Sequence, residues 1–277
     1  MFGSIKRSWQ LTKESYRVLS HDPELIFLMG MSMLGCGIIA GVIGISVLAL
    51  DGLGLTQYLL LGLGYYAGYF IIIYFQVALV SSVQLRISGG DPTVWYGINR
   101  ANHRIAPILT WSLIAATVGL ILDLLFKAAR TQHNIWGRII GMILIGVLGG
   151  AWNLLVFFVI PVIAAEGIGG FGALKRSKAI ITGNYGEAIL GGFGISIIGI
   201  LAAIAVAIPL ALLWILFGHN ILVAGVLIGL ALIAFVGIAC ATSALDGTFR
   251  AVLYDYKKTG NLGGFSSDTL DSAILSK

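Results

Sequence analysis

What this 277-residue chain has least of is charge. Only 10% of its residues are Asp, Glu, Lys or Arg, while 58% are hydrophobic. A soluble domain carries about 25% charged residues, so the polar side chains here are too few to clothe a water-facing surface. The mean hydropathy of +0.97 agrees, and lipid is the expected solvent. Charge is scarcer still inside the apolar runs. That removes the usual mark of an ion-coupled transporter or proton relay, because a buried ion is costly and is retained for a use. The two cysteines, Cys36 and Cys240, both lie within apolar runs. Two thiols cannot build a Cys-rich zinc site. The four histidines, His21, His103, His133 and His219, are dispersed without metal-ligand spacing. Ser243 and Asp246 share a helix side, yet no histidine lies near them in sequence to activate a nucleophile. No catalytic, cofactor-binding or metal-binding residue is expected. The chain reads as a non-enzyme without a cofactor.

What is present is a set of long apolar runs. Six spans are expected, over 25–50, 58–85, 105–126, 139–165, 188–217 and 221–245. Each exceeds the ~20 residues that cross a bilayer core. The first is too long for the apolar region of a cleavable signal peptide. The fold class is therefore all-α: a polytopic membrane protein with one six-span domain over 1–257 and a polar, disordered tail over 258–277. The far-side segment Lys127–Arg138 is expected to be the only substantial loop there, and Asp123 to pair with Lys127 one turn on. Pro209 marks a kink or a break in span five.

The basic residues fix an orientation. Only Lys127, Arg130 and Arg138 fall on one side of this arrangement, and the other 14 of the 17 Lys and Arg fall on the side of both termini. By the positive-inside rule both termini face the cytosol. The net charge of +5 is concentrated at membrane edges. Anionic lipid headgroups are thus the expected counter-charge, not nucleic acid.

A seven-residue string occurs twice. Phe2-Gly3-Ser4-Ile5-Lys6-Arg7-Ser8 returns with conservative changes as Phe171-Gly172-Ala173-Leu174-Lys175-Arg176-Ser177, and a blurred third version runs from Trp95 to Ile105. Each opens a basic amphipathic stretch followed by two apolar spans. The chain therefore reads as three pseudo-repeats, each an interfacial helix plus a membrane hairpin. At 100° per residue, 5–19 places Ile5, Leu11, Tyr16 and Leu19 on one side and the basic residues on the other. Short helices lying on the cytosolic membrane face are expected at 5–19, 95–104 and 171–182. With Arg7, Arg100 and Arg176 set equivalent, Ile5, Ile98 and Leu174 share a face, whereas Arg104 replaces the apolar Leu11 and Ile180. The expected headgroup-binding residues are Lys6, Arg7, Lys13, Arg17, Arg100, Arg104, Lys175, Arg176 and Lys178.

Within the spans, Gln76 and Asn153 are the only deep amides, suited to buried polar contacts between helices. The glycine-rich string at Gly62-Leu63-Gly64 follows no strand, so it is not a dinucleotide fingerprint. Small-residue spacings such as Gly64/Gly68 and Gly225/Gly229 suit close helix packing, within the chain or in a homo-oligomer.

Two patches together carry a resemblance. One runs from Ile5-Lys6-Arg7-Ser8-Trp9 to Asp22-Pro23-Glu24-Leu25. The other is Pro161, then Glu166-Gly167, then Ala173-Leu174-Lys175-Arg176-Ser177. They resemble an uncharacterised family of prokaryotic six-span membrane proteins, a domain of unknown function. That family is similar in turn to the membrane domain accompanying some glycerophosphodiester phosphodiesterases. The resemblance implies an inner-membrane protein and no activity, and the hydrolase barrel of those enzymes has no counterpart here. Two functions stay open. One is a non-catalytic scaffold, accessory subunit of a larger membrane assembly or lipid-interacting oligomer. The other is a transporter or channel for a neutral or lipid-like substrate, with the span-two aromatics, Gln76, Asn153 and Pro209 along its path.

Overall fold

A computed structural model describes residues 22–49, 54–131, 133–182, 186–217 and 220–259, with 13, 15–17, 19 and 20 upstream. Among the described residues every regular element is a helix. In chain order these are α1 (Glu24–Ala49), α2 (Leu55–Ile87), α3 (Val94–Asn102), α4 (Ile105–Arg130), α5 (Ile135–Val156), α6 (Val159–Glu166), α7 (Gly170–Ile181), α8 (Gly186–Phe217) and α9 (Ile221–Thr259). Six helices are long and apolar enough to cross a membrane, α5 and α6 counting together as one. The all-helical, six-span expectation holds.

Local chemistry sets the helix ends. Glu24 stands in the first turn of α1, where its charge meets the positive end of the helix dipole. The Gly54 N–H donates to Gln57 Oε1 (2.7 Å) at the start of α2. Helix α2 stops in a Schellman turn: Gly89 takes φ +87°, its N–H reaches the Arg86 carbonyl, and the Gly90 N–H reaches the Leu85 carbonyl. The Asn134 side chain caps α5 by accepting from the Trp136 N–H (3.1 Å). Asn220 does the same for α9 with Leu222 (2.9 Å).

Several expected boundaries move. The predicted far-side loop 127–138 is mostly helix, since α4 runs on to Arg130 and α5 begins at Ile135. Lys127 pairs with Asp123 (2.7 Å), and the Arg130 guanidinium covers the Phe126 ring at 4.5 Å. Both contacts lengthen α4 by its last turn. Helix α9 continues past the expected span end at 245 to Thr259, because its buried stripe, Phe249, Val252 and Leu253, keeps helical spacing. Residues 260–277 of the expected tail lie outside the described residues. In the first basic stretch, Ser15 and Leu19 are buried while Tyr16, assigned to the apolar face, is 62% exposed. The inward face is thus turned about one residue from the expected one.

The chain divides into two compact units: Met1–Met33 with Ser82–Tyr96 and Gly186–Lys277, and Leu34–Ser81 with Gly97–Tyr185. In the first unit α8 and α9 pack along each other. Arg86 forks onto the Asp22 carboxylate through Nε and Nη2 and also reaches Asp91 (2.8 Å), which fixes the segment entering α1. In the second unit α7 contacts α4, α5 and α6. The tyrosines of α2 close onto their neighbours there. Tyr74 donates to Asn102 Oδ1 (2.7 Å), Tyr66 to the Leu109 carbonyl (3.3 Å), and the Tyr65 and Tyr69 hydroxyls crowd against Gly119. Trp111 stacks on Trp152 at 6.0 Å.

Candidate functional site

The feature of the second unit with most consequence is a broken span. The run expected to be one helix over 139–165 is two, α5 ending at Val156 and α6 starting at Val159. Pro161 explains where. Proline has no N–H to give and its ring clashes with the carbonyl four residues back, but it is tolerated in a first turn. A restart at Val159 puts Pro161 in the first turn of α6. The chain turns through Phe158 at φ −97°, ψ 5°, and the Phe157 N–H drops to the Leu154 carbonyl (3.2 Å).

The break frees backbone groups, and a single hydroxyl takes a carbonyl and an N–H among them. Ser177 Oγ donates to the Leu155 carbonyl (2.6 Å) and accepts from the Phe158 N–H (3.2 Å). Ser177 is fully buried. An unpaired backbone group at such a place costs about 1–3 kcal/mol, so this one side chain holds α7 to the break. The surroundings are apolar. From Val159 to Ala164 every residue of α6 is buried, and Phe157 and Phe158 meet edge to face at 4.9 Å.

The turn from α6 to α7 is equally constrained. Gly167 adopts φ +69° and Gly170 φ +57°, conformations that L side chains rarely take. The Arg104 guanidinium lies where a Gly167 side chain would stand, and Gly169 rests on the Pro107 backbone. Arg176 Nε reaches Glu166 Oε1 at 3.0 Å and ties α7 back to the end of α6.

The predicted headgroup residues sort accordingly. Arg100, Lys175 and Lys178 project from α3 and α7 as exposed cations, and Lys13 and Arg17 are exposed as well. Arg176 is exposed but engaged with Glu166. Arg104 is half-buried against Gly167, so its first role is packing. Lys6 and Arg7 lie outside the described residues. Gln76 is half-buried, whereas Asn153 is exposed on α5 and does not supply the buried contact expected of it. Among the described residues no group of three His, Cys, Asp or Glu could hold a metal ion.

Helices α3 and α7 show one pattern in register. Gly97 and Ala173 are buried, Ala101 and Ser177 are fully buried, and Trp95 and Phe171, one residue into each helix, are 75% and 68% exposed. The reading from sequence missed the break and its clasp. It weighed Pro209, used Pro161 only for resemblance, and took Ser177 as the last letter of a repeat. The available signal was a proline inside a span. No curated protein matches the chain. A family model, that of the family of unknown function DUF6159, matches residues 55–265, and the chain belongs to that family.

Proposed function

We propose that this protein is a non-catalytic, lipid-interacting scaffold of a prokaryotic cytoplasmic membrane, with both termini cytosolic. The observation that supports it is the shared pattern of α3 and α7. Each buries a stripe of small residues and carries an exposed aromatic and exposed cations, Trp95 and Arg100 on α3 and Phe171, Lys175 and Lys178 on α7. Such a helix suits the headgroup layer, where an aromatic ring sits at the interface. Each Lys or Arg there is worth about 1 kcal/mol on an anionic leaflet. The matching burial also favours the pseudo-repeat, with α3 and α7 as equivalent interfacial helices.

The broken span favours a scaffold over a transporter. Interrupted helices in transporters offer freed backbone groups to a substrate, but here Ser177 occupies two of those that the break frees. Two of the span-two tyrosines, Tyr74 and Tyr66, spend their hydroxyls on α3 and α4. The family match carries no link to glycerophosphodiester phosphodiesterases, and no activity of theirs enters this reading.

The test is lipid retention. Purified protein exchanged through detergent and weighed by native mass spectrometry is expected to keep phosphatidylglycerol over phosphatidylcholine. The combined variant Arg100→Gln, Lys175→Gln, Lys178→Gln is expected to lose that preference about tenfold, as ~1 kcal/mol per charge allows after discounting for exposure. Equal retention by both proteins would overturn the reading. Orientation is checked with single cysteines at Gln132 and Thr259 in a background lacking Cys36 and Cys240. An impermeant thiol reagent should reach them from opposite sides.

A further inference from the structure

The first unit holds a groove that the scaffold reading leaves unused. It runs between α8 and α9 with a volume of about 520 Å3, within the usual range of ligand sites, and its walls include Gly199, Ala203, Phe235 and Ala239. Small residues create it: Ala203 on one helix and Ala239 on the other leave room where larger side chains would meet. Gly199 lets the helices close below. A Cβ there would stand 2.6 Å from the Thr242 methyl.

The groove is polar at one end only. Ser243 and Asp246 line that end, and Asp246 pairs with Arg250 one turn on at 2.7 Å, each side chain just over one-quarter exposed. From Phe235 to Asp246 the α9 wall is ~16 Å long at ~1.5 Å per residue. The shape is thus a long apolar slot with a carboxylate at its polar end and a guanidinium paired to that carboxylate one turn on.

We propose that this groove binds one zwitterionic phospholipid with a primary-ammonium headgroup, of the phosphoethanolamine class. An acyl chain fills the slot past Phe235 and Ala239. The headgroup ammonium donates to the Asp246 carboxylate, and the phosphate accepts from Arg250 in a charge-assisted contact. A purely anionic headgroup would set its charge beside Asp246, and a quaternary ammonium has no N–H to give. The site therefore prefers a different lipid from the basic helices α3 and α7, and it stands or falls apart from them.

The experiment uses the full chain, delipidated in detergent and titrated with phosphatidylethanolamine, phosphatidylglycerol or phosphatidylcholine of identical acyl chains, with occupancy read by native mass spectrometry. Wild type is expected to hold one phosphatidylethanolamine at least tenfold more tightly than either other lipid. Ala239→Phe, which fills the slot, should abolish the tight equivalent. Asp246→Asn, which keeps the shape, should reduce the preference for phosphatidylethanolamine over phosphatidylglycerol about tenfold. Equal affinity for the three lipids, or retention of phosphatidylethanolamine untouched by both variants, would overturn the proposal and mean an annular lipid only. Loss of phosphatidylglycerol retention in the Arg100, Lys175 and Lys178 variant concerns the basic helices alone.

Discussion

Two spans of this protein carry a proline beyond their first turn, and they respond in opposite ways. In span four, Pro161 coincides with a clean break between α5 and α6. In span five, Pro209 sits inside α8, which continues unbroken from Gly186 to Phe217. The residue and its missing N–H are the same, so the difference comes from the neighbours. Beside Pro161 lies α7, whose buried Ser177 accepts from one freed group and donates to another. Pro209 is exposed, as is Ile208 before it. A break there would bare further backbone groups to lipid, where nothing can pair with them. Staying helical leaves only the Ala205 carbonyl short of its usual partner. A proline opens a membrane helix where something polar is ready to fill the gap.

That comparison can be broken in three places. The largest effect is expected from Ser177→Ala, which leaves the Leu155 carbonyl and the Phe158 N–H buried without partners. The loss should be ~2–4 kcal/mol, or ~5–15 °C in the thermal midpoint of detergent-purified protein. A shift below ~2 °C would mean that the hydroxyl is incidental. Next is Gly167→Ala, at the far end of α6. There φ +69° and the Arg104 guanidinium both oppose a side chain, and ~1–3 kcal/mol is expected on the same assay. Smallest is Pro209→Ala. It restores one helical hydrogen bond in an exposed stretch, so stability should rise by less than ~1 kcal/mol. A large loss there would show that Pro209 serves packing.

The spans were legible because each is a long apolar run, and composition alone decides that lipid surrounds it. Helices α3 and α7 were legible too, since basic and apolar residues alternate at helical spacing over 94–102 and 170–181. The Asp123–Lys127 pair followed from spacing within one helix. What sequence did not show are events that need a partner distant in the chain. Ser177 lies 22 residues from the carbonyl that it caps, Asp22 lies 64 from Arg86, and Arg104 meets Gly167 across two helices. Arg104 was read as a headgroup ligand because a cation at a membrane edge has that default. The absence of a side chain at Gly167 leaves the space that the Arg104 guanidinium occupies. The groove between α8 and α9 depends likewise on Gly199 facing Thr242, which neither helix reveals by itself.

The central claim is that Ser177 matters because Pro161 breaks the span. A double-mutant cycle tests it most directly: Ser177→Ala, Pro161→Ala and the combination, each unfolded under the same conditions. With Pro161 replaced, the Val159 and Phe158 N–H groups can rejoin the helical ladder. Ser177→Ala should then cost less than ~1 kcal/mol in that background, against ~2–4 kcal/mol in wild type. Equal costs in the two backgrounds would contradict the account.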